Sequence, residues 1–144
     1  PLRLIQLHVC AMYVAAAWQR LDDPNWLGGS MVFAAMTNII FSRLPNIDWH
    51  QWKNALAFFT YAALILEVAA PILLWRKKWG LWCVVGLVAM HAGLELFTMT
   101  GYWQYMMSLM LVCFLPDSFS KKALELIPTR WLQVALKRRH TQPG

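Results

Sequence analysis

Two residues that can exchange protons stand four apart in an otherwise apolar stretch: His91 and Glu95, within Val84–Phe97. At that spacing both side chains leave the same face of a helix. A carboxylate can hold an imidazole in one tautomer, so the pair has the chemistry of a general base. Glu67 lies in a second apolar stretch, with Pro71 one helical turn later. An unpaired carboxylate in such surroundings tends to hold its proton, and the proline can free a backbone carbonyl beside it. His8 lies in a third apolar stretch, which Arg20 closes.

The elements that must position these groups are hydrophobic helices. Of 144 residues, 59% are hydrophobic and 14% charged, about half the charged share of a soluble domain. The apolar residues fall into runs of membrane-span length, and the nine tryptophans suit aromatic belts at a membrane surface. We expect an all-α integral membrane protein, a four-span helical bundle: Leu2 to about Trp18, Ala55–Trp75, Trp79 to about Phe97, and Tyr102–Leu115. Asp23-Pro24 and Gly28-Gly29 break the chain after span one. Ser30–Leu44 is too short to cross, so a short re-entrant or interfacial helix is expected there, closed by Pro45. The opening at Pro1 has no basic leader and cleavage site, and the sequence is expected to be an excerpt of a longer protein.

Two domains are expected: residues 1–117 in the membrane, and 118–144 as a basic amphipathic cytoplasmic tail broken at Pro128. The net charge of +6 collects at Arg76-Lys77-Lys78 and in that tail. An even number of spans separates the two clusters, so the positive-inside rule puts both chain ends in the cytoplasm. This placement accounts for the basic balance without nucleic acid. Cys10, Cys83 and Cys113 sit in or near three different runs with no CxxC, and are read as free thiols. No metal is expected, since there is no HExxH and His91 with Glu95 supplies only two ligands.

At about 1.5 Å per residue, His91 lies near mid-membrane, with Glu67 and His8 toward the inner side. Two clusters are then expected: His8 with Glu67, and His91 with Glu95 and Arg20. The alternative role for all five is interhelical hydrogen bonding, worth about 0.6 kcal/mol per bond.

Three stretches, in this order, carry a family resemblance. The first runs from Gln6 to Tyr13 and on through Gln19-Arg20-Leu21-Asp22 to Trp26-Leu27-Gly28-Gly29. The second is the glutamate-and-proline segment Tyr61–Trp75. The third is the His91 segment followed by Gly101-Tyr102-Trp103-Gln104-Tyr105-Met106-Met107. Together they resemble the HTTM domain, the membrane region shared with vitamin K-dependent gamma-carboxylases. The resemblance implies a quinol site that takes vitamin K hydroquinone or menaquinol, with His91, Glu95 and Arg20 as catalytic candidates. Glu67, His8, Trp103 and Tyr105 would bind the ligand. In the carboxylases a lysine at the position matching Arg20 is the proposed base, and arginine is a poor base because it stays protonated. Arg20 is therefore assigned to holding an anion. The chain is more similar to the family's bacterial members, which implies a multi-pass inner-membrane protein.

Two functional readings follow. One is an enzyme-like domain that binds a quinone or similar lipid and carries out proton-coupled redox or carboxylation chemistry. The other is a non-catalytic assembly, maturation or immunity factor for a secreted peptide or a partner membrane protein. A small transporter would need more spans to build an inverted repeat.

Overall fold

The apolar run after Trp79 contains no proline and forms an uninterrupted helix, Gly80–Phe97. Its buried residues, Gly80, Cys83, Val84, Leu87 and His91, recur every three or four positions and so define one face. The run before it forms a helix over Lys53–Leu73, which a 3-10 turn at Trp49–Trp52 leads in. Asp48 caps that turn by accepting from the His50 amide at 3.1 Å. Both helices, at Trp49–Leu73 (with the turn) and Gly80–Phe97, are long and apolar enough to cross a membrane. Pro71 lies inside the first of them. It has no N–H to give the carbonyl four residues back, which is that of Glu67.

The computed structural model describes residues 2–116 and 119. Among these the architecture is all-helical, with no strand. In chain order α1 is Leu2–Leu21, α2 Pro24–Leu27, α3 Met31–Thr37, α4 Lys53–Leu73, α5 Gly80–Phe97 and α6 Trp103–Met110, which tightens into a 3-10 turn at Leu111–Phe114. The chain divides into two units, Pro1–Phe114 and Leu115–Gly144. The basic amphipathic tail expected over 118–144 lies, Phe119 apart, outside the described residues.

Local chemistry sets the element ends. Asp23 accepts from the Asn25 amide at 2.8 Å, and with Pro24 it starts α2. Gly29 then takes φ 71°, a left-handed conformation that favours glycine. This turn rests on α4, where the Tyr61 hydroxyl donates to the Leu27 carbonyl at 3.1 Å. The helix expected over Ser30–Leu44 is only seven residues long, Met31–Thr37. It stops because Asn38 turns its side chain onto the Ile40 amide at 2.9 Å, an alternative to the helical ladder.

The segment after α3 is tied to the end of α5. Arg43 donates its amide to the Phe97 carbonyl at 3.0 Å, and Met99 donates to the Phe41 carbonyl at 2.7 Å, on either side of a Ser42–Thr98 bridge. At the other end of the bundle the Gln6 side chain donates to the Cys113 carbonyl at 2.7 Å, joining α1 to the final 3-10 turn. Trp75 donates to Cys10 Sγ at 3.2 Å and stacks edge-on with Phe114.

The distribution of polarity is unusual. The buried set includes Gln6, Thr60, Glu67, His91, Thr98 and Gln104, while Leu4, Ile65, Trp82 and Leu96 are each about two-thirds or more exposed. A soluble helix buries its apolar stripe and solvates its polar face. Here Glu67 of α4 and His91 of α5 face inward, and the outer faces are largely aliphatic and aromatic.

Candidate functional site

Helices α1, α4, α5 and α6 border an open cavity of about 430 Å³. Helix α1 contributes Tyr13 and Arg20, seven residues and so two turns apart on one face. Helix α4 contributes Glu67, α5 contributes His91, and α6 contributes Trp103 and Met107. Small residues on α1, Ala15 and Ala16, leave the space open.

Two polar constellations meet on this wall. In the first, His91 bridges two helices: its Nδ1 lies 2.5 Å from Gln104 Oε1 and its Nε2 lies 3.0 Å from the Tyr13 hydroxyl. The Gln104 oxygen can only accept, so Nδ1 carries the proton. In the neutral imidazole Nε2 is then the acceptor, and the Tyr13 hydroxyl donates to it. All three side chains are buried. In the second constellation, the Arg20 guanidinium pairs with the Glu67 carboxylate. Arg20 also lies over the Trp26 ring, with Cζ 4.3 Å from the centroid. The two charges cancel, so the cavity wall as a whole is neutral.

This grouping differs from the pairs expected from depth alone. His8 is exposed and does not meet Glu67. Glu67 takes Arg20 instead, because α1 stays helical through Leu21 and the long arginine side chain reaches inward from the last turn. Glu95 leaves the His91 cluster. Four residues advance a helix by about 400°, so the two side chains sit one turn apart and about 40° around the axis. That offset is enough to aim Glu95 at Arg43, whose Nη2 donates to Glu95 Oε1 at 2.5 Å. Arg43 Nε also donates to the Glu95 and Thr98 carbonyls, at 2.9 and 3.2 Å. Glu95 thus fastens the 41–43 segment to the end of α5. Of the two aromatics expected to bind ligand, Trp103 lines the cavity, whereas Tyr105 does not line it and is exposed.

Tyr13 and Gln104 were missed as site residues. The signal for Tyr13 is its seven-residue spacing from both Gln6 and Arg20, which puts three polar side chains on one helical stripe. The signal for Gln104 is a lone amide inside a short apolar helix, which has to find a partner when buried.

A second cavity of about 450 Å³ is lined by the opposite faces of α4 and α5, with Met36, Trp52, Phe59, Leu66, Met90 and Phe97 on its wall. It holds no ionisable side chain. Among the described residues no group of three or more histidine, cysteine, aspartate or glutamate side chains is placed to hold a metal ion. No family model matches the chain, and neither the curated proteins nor the solved structures contain a match to it.

Proposed function

We propose that this chain is the core of a multi-pass membrane protein of the HTTM type, which binds the polar head of a quinone or quinol in the cavity between α1, α4, α5 and α6. Helices α4 and α5 supply two spans. Helix α1 supplies a third, the short segment Trp103–Phe114 supplies the fourth together with the turn residues that flank it, and α3 lies at the interface. Inverted polarity supports this reading, since aliphatic outer faces suit lipid and buried ionisable groups mark a functional interior. The observation that carries the functional part is the hydrogen-bonded Tyr13–His91–Gln104 chain, which opens on the same cavity as the Arg20–Glu67 pair. A hydroxyl-bearing ring entering there would meet a proton acceptor and a guanidinium together. Arg20 is engaged by Glu67 and stays protonated, so the role of base passes to His91. Glu95, held by Arg43, serves the fold.

The test is a turnover assay on the full-length protein in lipid nanodiscs. Reduced vitamin K or menaquinol, oxygen and bicarbonate are supplied, and epoxide is read by mass spectrometry. We expect product from the native protein and a loss of about 100-fold or more in His91→Ala, the usual scale for a lost general base. A second reading, a non-catalytic assembly or maturation factor, is favoured by the pairing of Arg20 with Glu67, which links α1 to α4 with no ligand. On that reading neither reduced quinone gives product, and His91→Ala lowers only stability or partner binding.

A further inference from the structure

We infer that Tyr13 is the group that meets the ligand, relaying its proton to His91, with Gln104 as the positioning residue that fixes which ring nitrogen receives it. The inference rests on the quinone- or quinol-binding reading above and assigns roles within that site.

Both nitrogens of His91 are already committed, Nδ1 to Gln104 and Nε2 to Tyr13. A ligand in the cavity therefore reaches Nε2 only by displacing Tyr13 or by passing a proton through it. The Tyr13 hydroxyl spends its hydrogen on Nε2, which leaves its oxygen lone pairs free to accept. Tyr13 and His91 both line the cavity, so the relay oxygen and the final acceptor belong to one wall. The transfer balances without any other reagent. The ligand's O–H bond breaks as its proton joins Tyr13 Oη, and the hydrogen already on Tyr13 moves to His91 Nε2. Tyrosine ends unchanged, and an oxyanion and an imidazolium replace two neutral groups. No electrons change hands. The charged groups on the same wall, Arg20 and Glu67, cancel before and after, so a neutral ligand suits the site. Gln104 decides which nitrogen receives the proton: by fixing the proton on Nδ1 it keeps the Nε2 lone pair turned toward Tyr13.

The probe is 1-naphthol, kept under nitrogen, an aromatic alcohol whose anion absorbs at longer wavelength. It is titrated at neutral pH into the full-length protein in nanodiscs. The native protein is expected to bind it and to show the naphtholate band. Tyr13→Phe, which removes a single oxygen, should bind within about threefold of native and lose at least tenfold of the band. Ring nitrogen-15 shifts of His91 should report the Nδ1–H tautomer in the native protein and a mixture in Gln104→Leu. Binding with no band in the native protein, or a full band in Tyr13→Phe, overturns the relay while leaving the cavity's binding role intact. Absence of naphthol binding in the native protein removes the binding reading and the relay with it. An Nε2–H tautomer in the native protein overturns the relay with no mutation at all, so the inference stays testable should Tyr13→Phe fold poorly.

Discussion

Glu67→Gln removes the charge from one half of the Arg20–Glu67 pair and leaves the other half in place. The Glu67 side chain is 3% accessible and that of Arg20 is 25% accessible. Removing one partner of a buried pair costs about 3–5 kcal/mol, because the remaining charge is left uncompensated. Arg20 is a quarter open and keeps its stacking on Trp26, so the low end applies, about 3 kcal/mol or roughly 150-fold in the unfolding equilibrium. The double variant Arg20→Met with Glu67→Leu removes both charges and keeps most of the volume. It should recover most of the loss, since apolar replacement of a buried pair is often neutral or better. Equilibrium unfolding in mixed micelles, followed by tryptophan fluorescence, measures all of these variants. A Glu67→Gln protein within about 0.5 kcal/mol of native would refute the reasoning, as that is the scale of an ordinary surface change.

Two further perturbations separate fold from chemistry. Gly29→Ala puts a Cβ 2.8 Å from the Tyr61 ring on a residue at φ 71°, and should lower stability by about 1–3 kcal/mol in the same assay. Glu95→Gln should cost at most about 1 kcal/mol, since Arg43 is 41% accessible and the pair is correspondingly screened. Its signature is faster hydrogen exchange at the Arg43 and Met99 amides, with naphthol ionisation at the Tyr13–His91 pair unchanged.

The helices were easier to read in the sequence than the pairings between them. The apolar runs around Glu67 and His91 are long and bounded by charge or turn residues, and they became α4 and α5 within about two residues of the expected limits at most ends. Gly28-Gly29 and Asp23-Pro24 announced the turns around α2, where backbone conformation is dictated by residue type alone. The stretch Ser30–Leu44 was harder to read, because composition shows an apolar bias but gives no weight to Asn38 turning onto Ile40. The partners of Glu67, His91 and Glu95 depend on helix rotation and on the reach of side chains such as Arg20 and Arg43. Depth along a helix axis carries no information about either. Tyr13 and Gln104 became site residues only when α1 and α6 were placed on either side of His91.

The central claim is that the polar groups lie inside a bundle whose outer surface is turned toward lipid. A nitroxide attached in turn at position 65 on α4, 85 on α5 and 109 on α6 tests it most directly, read by power-saturation electron paramagnetic resonance in bilayers. Ile65, Val85 and Leu109 are all exposed on the outer faces. The account predicts that collisions with dissolved oxygen, which concentrates in lipid, dominate at all three. Dominant collisions with a water-soluble nickel chelate at these positions would contradict it.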